Sequence, residues 1–312
     1  MGYLDQEHDS RPLVRPRGRR PSHHRGPADR RPSMTSRVMD AARGRCEPGA
    51  MDGTGRSIGS RLRRWRERRR RSQLDVALAA GVSTRHLSCL ETGRALPSRS
   101  MIERLAEELE IPLRERNGLY VAAGFAPVHA ERPWRELGAA AEALSALLRA
   151  HEPYPAVAID VRWNVVDANA AMRRFLDPVP PAVAGPPLNM LRATLHPDGL
   201  AGSLIAPHHW RANALRRARR QLDRTADQEL AELIAELETY PIPEGATPVP
   251  PPPAEDIVVP LRVDTEAGVL SLLYTVTVFG APRDVTLDEI AIETMLPADG
   301  ATRRILAAMA GA

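Results

Sequence analysis

The chain of 312 residues is 43% hydrophobic, enough for the cores of about two ordinary domains, and only 4% aromatic, with 29 prolines that call for sizeable loops. Its 43 basic residues are all arginine, giving a formal charge of +4 against 39 acids. About half of them precede Ser72, and the stretch after Asp223 is acidic, an asymmetry that points only the front half toward a polyanion. GC-rich codon usage explains the missing lysine but not the asymmetry. Without lysine a Walker-type phosphate loop is excluded. Cys46 and Cys89 are too few for a disulfide framework or a Cys-rich metal site. No apolar run has the length of a membrane span and no signal-peptide apolar region opens the chain, so a cytosolic protein without membrane insertion is expected.

Residues 1–55 mix Arg, Pro, Gly, Ser and His without period, and read as a disordered tail. RPRGRRPSHHRG is either a basic arm for phosphates or part of an over-long start, since Met34, Met39 and Met51 all precede the first periodic segment.

Residues 56–127 predict five short helices. Ile58, Leu62 and Trp65 form one apolar stripe on a first helix otherwise covered with arginine. Ser72, Ser83 and Ser98 are good N-caps for the next three, and Met101, Ile102, Leu105, Ala106 and Leu109 make the core face of the fourth. Pro112 suits the first turn of a fifth, which Gly124 terminates. Residues 128–152 read as a connecting segment with a helix over 134–150.

Residues 153–312 mix strands and helices. Strands are expected at Ala156 to Val161 and Trp163 to Ala168 about a tight turn at Arg162, then at IVVPLRV, VLSLLYTVTVFG and DEIAIETML. Helices are expected at Asn169 to Leu176, Asn189 to Leu195, Pro207 to Leu222 and Asp227 to Leu237, with a Pro-rich loop over 241–254. Five strands with intervening helices suggest one antiparallel sheet, and the whole chain an α+β multidomain protein.

The stretch SQLDVALAAGVSTRHLSCLETGR is a helical pattern broken once, at Gly81. A glycine at positive φ lets the chain turn sharply and set a second helix steeply across the first, which is a helix-turn-helix. Val76, Val82, Leu87 and Leu90 would supply the shared core with Ala77 at the close approach, leaving Thr84, Arg85, His86, Ser88 and Cys89 outward. An α-helix fits the major groove of DNA. From Ser72 to Ser98 the pattern SQ-x2-VA-x3-GVS-x3-LS-x-LE-x-G-x3-PS resembles the lambda-repressor-like family of phage repressors and xenobiotic-response-element type regulators. That resemblance implies that Gln73, Ser83 and Arg94 contact the DNA backbone, that Thr84, Arg85 and Ser88 face bases with His86 at the margin, and that Glu91 pairs with Arg66. Phage repressors often read with glutamines, so no operator carries over.

Longer stretches, among them ERNGLYVAAGFAP, HEPYPAVAIDVRWNVVDANAA and TVTVFGAPRDVTLDEIAIETMLPAD, are similar to the MmyB-like regulators of actinobacteria. The resemblance implies a C-terminal PAS-like domain, an antiparallel sheet covered by helices, that senses a small hydrophobic, fatty-acid-like ligand in a homodimer bound to double-stranded DNA. Candidate pocket residues are Trp163 and Asn169 at the second strand and Phe175, Leu176, Leu191 and Leu195 on the covering helices. The alternative is a C-terminal domain that only dimerises or docks a protein partner. No catalytic residue, metal ligand or cofactor is expected. His196, His208 and His209 lack a carboxylate at ligand spacing, no His-Glu-x-x-His occurs, and GRSIG matches the nucleophile elbow only formally, with no strand before it.

Overall fold

The structure is a computed structural model, and it describes residues 57–241 and 260–311. The expectations for the tail 1–55, for the Pro-rich loop beyond Pro241 and for Ile257 to Val259 as strand lie outside the described residues.

Five helices follow one another at the N-terminal side: α1 (Ile58–Arg68), α2 (Gln73–Ala79), α3 (Thr84–Glu91), α4 (Arg99–Glu108) and α5 (Leu113–Ala122). The first four each start at a serine. Ser57, Ser72, Ser83 and Ser98 accept from the backbone N–H of Ser60, Asp75, His86 and Met101, each satisfying an otherwise orphaned donor. Ser72 and Asp75 form a reciprocal capping box, and the Ser72 bonds hold the Asp75 carboxyl below the usual carboxylate range. Pro112 sits at the N-cap of α5, one residue before the first helical turn. Gly81 takes φ 64° between α2 and α3, and Gly124 takes φ 81° after α5.

The apolar stripes meet as expected: Leu62, Val76, Ala77, Leu87, Leu90, Ile102, Leu105 and Leu109 are buried in one core. Each of the leucines contributes about 1.5–3 kcal/mol by leaving water. Val82 and Met101 are only partly buried against it. Cys89 departs from the outward reading, being 5% exposed. The last turn of α3 lies against α1, where Gly59 has room for no Cβ beside the carbonyls of Leu90 and Glu91.

The expected helix over 134–150 is interrupted at Gly138, φ 53°, into a 3-10 turn, Trp134–Glu136, and α6 (Ala139–Ala150). Beyond it lie β1 (Ala156–Ile159), β2 (Val165–Ala168), α7 (Ala170–Leu176), α8 (Pro181–Ala184), α9 (Met190–Leu195), α10 (Pro207–Thr225), α11 (Gln228–Thr239), β3 (Leu261–Thr265), β4 (Gly268–Val278), α12 (Val285–Glu289), β5 (Ala291–Pro297) and α13 (Gly300–Gly311). The strands form one antiparallel sheet in the order β2-β1-β5-β4-β3, with the long helical insertion between β2 and β3. This is the PAS-like arrangement that the resemblance implied.

Side chains alternate across the sheet, so its two faces have different partners. Val157, Ile159, Leu270, Leu272 and Met295 pack with Met172, Leu191, Leu215, Leu230 and Leu233 of the covering helices in the main core. Ala156, Ala158 and Ile292 face the other way, against Leu144 and Leu148 of α6.

Three strand and helix expectations are corrected. Trp163 is not in a strand: it takes φ 68°, because Asp160 gathers the turn by accepting from the N–H of Arg162 (2.8 Å) and of Asn164 (2.9 Å), and β2 starts only at Val165. Asp288 and Glu289 are helical rather than extended, since Asp284 accepts from the N–H of Thr286 and starts α12. The terminal helix α13 was not anticipated, for its Ala-rich sequence buries only Thr302 and Leu306.

Candidate functional site

On α3 the buried residues are Leu87, Cys89, Leu90 and Glu91, which leaves Arg85 exposed and Thr84, His86 and Ser88 partly exposed on the remaining surface. Ser83 is exposed. Its oxygen accepts from His86 at 3.1 Å, which leaves its hydroxyl hydrogen free to donate outward. Arg94 is exposed and, among the described residues, donates to Thr92 Oγ1 at 3.0 Å. Gln73 is the most constrained of the seven expected DNA contacts. Its Nε2 donates to Glu91 Oε2 at 2.8 Å, while the Arg66 guanidinium takes the same carboxylate through two bonds of 2.7 and 2.9 Å. The pairing of Glu91 with Arg66 therefore holds α1, the start of α2 and the end of α3 in one network. Arg66 is held above its ordinary pKa by that bond.

Ser57 of GRSIG is the N-cap of α1, its oxygen accepting from the N–H of Ser60, and the residues before it lie outside the described ones. Among the described residues no three His, Cys, Asp or Glu side chains gather as a metal site.

A recess of about 260 Å3 lies between α10 and the sheet, lined in part by Ile159, Trp163, Arg217, Arg220, Arg224 and Val276. At its floor Arg217 is stacked between two rings, 4.7 Å from the Trp163 centroid and 4.8 Å from that of Tyr274, and it donates to the buried carboxylate of Glu293. Glu293 reaches this position because it alternates with Met295 on the core-facing side of β5. A carboxylate there would be intolerable unpaired. Trp210, two turns before Arg217 on α10, stands edge-on to Tyr274 at 5.4 Å, and its buried indole N–H has no acceptor among the described residues.

Of the candidate pocket residues, Trp163 lines this recess. Leu176, Leu191 and Leu195 are buried in the main core, with Phe175 partly buried against it. Asn169 caps α7 with all its hydrogen-bonding capacity used: Oδ1 accepts from Ala156 and Met172, and Nδ2 donates to the carbonyls of Leu148 and Tyr154. Sequence reasoning missed Arg217, Tyr274 and Glu293. The one available signal was a lone glutamate at an inward position of an otherwise apolar strand.

Where α10 ends, its last carbonyls are capped from α1. Arg68 donates to Leu222 O at 3.1 Å, and Arg69 to Asp223 O at 3.3 Å and Arg224 O at 3.4 Å, placing cations at the negative end of the helix dipole. Arg69 is aimed by stacking 5.1 Å over Trp65 and by bonds to Leu109 O and Glu110 O. A second bond set joins α5 to α12: Leu113 N–H donates to Asp288, and Arg114 binds Glu289 bidentately, which raises the pKa of Arg114 above its ordinary value. A cleft of about 380 Å3 runs along this seam and shares Val161, Gln221, Arg224 and Glu289 with the recess.

Two family models match the chain, in the order of its two domains. A helix-turn-helix family model matches residues 57–119, and the MmyB-like transcription regulator ligand binding domain matches residues 140–309. No curated protein matches the chain. Among solved structures, one described as an RNA-binding Light-Oxygen-Voltage receptor is 15% identical, covering 90% of this chain and 69% of that one with a TM-score of 0.25. No helix among the described residues is long and apolar enough to cross a membrane. With a helix-turn-helix ahead of a ligand-binding match that spans more than half of its length, the chain belongs to the MmyB-like transcription regulators, ligand-responsive DNA-binding proteins.

Proposed function

We propose that the protein is a cytosolic, homodimeric regulator, not an enzyme, whose affinity for its operator changes when the C-terminal domain takes up a fatty-acid-like ligand. The observation that carries this reading is the seam: the recess shares Arg224 and Glu289 with the cleft against the DNA-binding helices. In this reading Arg85, Thr84 and Ser88 read bases with His86 beside them, and Gln73, Ser83 and Arg94 hold phosphates. The exposure of Arg85 supports its part, since a guanidinium with no partner among the described residues is available to a guanine edge.

The test is operator selection and affinity with the full-length chain. Arg85→Ala costs about 1–3 kcal/mol on the preferred site and flattens base preference, whereas Gln73→Ala weakens specific and random duplexes alike. Dodecanoate shifts operator affinity of the full chain. An unchanged selected motif in Arg85→Ala refutes the reading face. Absence of any dodecanoate effect favours a C-terminal domain that only dimerises or docks a partner.

A further inference from the structure

We propose that the recess beside Trp163 is a head-group site for an organic acid, with Arg220 and Arg224 as the groups that hold its carboxylate. This inference rests on the acyl-ligand reading above and adds to it a place and a charge for the ligand.

The argument is one of charge accounting. Arg217, Arg220 and Arg224 fall at i, i+3 and i+7 and so on one face of α10, and all three line the recess. Arg217 is spoken for by Glu293 and its two rings. The other acids of the recess are also engaged. Glu289 is held bidentately by Arg114, and Asp160 accepts from the turn N–H groups of Arg162 and Asn164 and from the Asn164 amide. Arg220 and Arg224 have no side-chain hydrogen bond or carboxylate partner among the described residues. Two positive charges therefore stand unspent at the rim.

The ligand class follows from what lies beside those charges. Trp163, Ile159 and Val276 give the recess an apolar wall, so it suits an amphiphile better than a bare inorganic anion. Two guanidiniums present planar donor forks that match a carboxylate. Trp163 is the pivot of the arrangement, since its left-handed backbone aims the ring over Arg217.

The experiment uses the full-length chain and monomeric dodecanoate, dodecanol and hexanoate, followed by calorimetric titration and thermal melting. Dodecanoate is expected to bind about tenfold or more tighter than dodecanol, as charge-assisted hydrogen bonds require. That preference falls toward unity in Arg220→Gln/Arg224→Gln. It is unchanged in Arg216→Gln, which removes a charge from the same helix outside the recess. Hexanoate, a head group with little tail, competes with dodecanoate in the unaltered protein and not in the double variant. Equal binding of acid and alcohol, or a preference that survives the double variant, overturns the head-group site while leaving an acyl ligand in place. If neither dodecanoate nor dodecanol binds, the acyl reading and the head-group site fall together.

Discussion

Arg114 of α5 and Glu289 of α12 meet through two parallel N–H to O bonds of 2.6 and 2.9 Å, across 175 residues of sequence. After Ile290, Glu289 leads into β5, whose Glu293 holds Arg217 in the recess. The pair thus lies two alternations of one strand from the sensor core and on the last helix of the DNA-binding half.

Arg114→Ala is expected to cost about 1 kcal/mol of stability, discounted for screening because the Arg114 side chain is 37% exposed. Its larger effect falls on coupling: the dodecanoate-induced change in operator affinity shrinks several-fold, and ligand-free operator binding stays close to normal. A full ligand response in this variant, measured by fluorescence anisotropy, removes the pair from the transmission route.

Glu91→Ala uncovers the Arg66 guanidinium, itself only 12% exposed, and releases Gln73. Removing one partner of such a buried pair costs about 3–5 kcal/mol. Urea unfolding of the variant reports the loss directly. A loss under about 1 kcal/mol would show that water reaches Arg66 freely.

Glu293 and Arg217 make a sharper comparison. Glu293→Ala leaves a cation between two rings and is expected to cost about 3–5 kcal/mol, whereas Arg217→Met/Glu293→Leu, which removes both charges, is expected to be nearly neutral. Equal penalties in the two variants would mean that the pair is held for its geometry and not for charge compensation.

Acid stability has a marked contributor in Glu236. Arg192 donates to it at 2.8 and 2.6 Å and Tyr240 adds a hydroxyl bond, and the Arg192 bonds hold the Glu236 carboxyl below its usual 4.5. Tyr240 is pushed up to about 12, first by burial and then by its bond to Glu236. A carboxyl with a depressed folded pKa lends full stability above its unfolded value and loses it as pH falls through the folded one. Glu236→Gln is therefore expected to be less stable at neutral pH and to lose less on acidification below about pH 4.5. Parallel pH-stability curves for the two proteins would contradict this.

The DNA-binding half was legible because its instructions are local. Each of Ser72, Ser83 and Ser98 marks a helix start in its own sequence neighbourhood, and Gly81 marks the turn. The five strands were legible from their Val and Ile content, though Trp163 was drawn into a strand by its aromatic character when an Asp160-centred turn holds it at positive φ. The recess was not legible. Arg217 and Glu293 are 76 residues apart, and nothing local distinguishes Arg217 from the other arginines of α10. The caps that Arg68 and Arg69 place on α10 span more than 150 residues and end on backbone carbonyls, which carry no sequence identity at all.

Those caps set how the two halves can part. Carbonyls at the end of a helix can be satisfied by water as well as by a guanidinium, and a released arginine is itself hydrated. Drawing α1 away from α10 would exchange one set of hydrogen bonds for another at these carbonyls, and would also lift Ala226 from the DNA-binding core. At these carbonyls the joint is therefore a polar fastening, in which each bond released on α10 can be replaced by one to water, while the Arg114–Glu289 pair holds the neighbouring part of the seam.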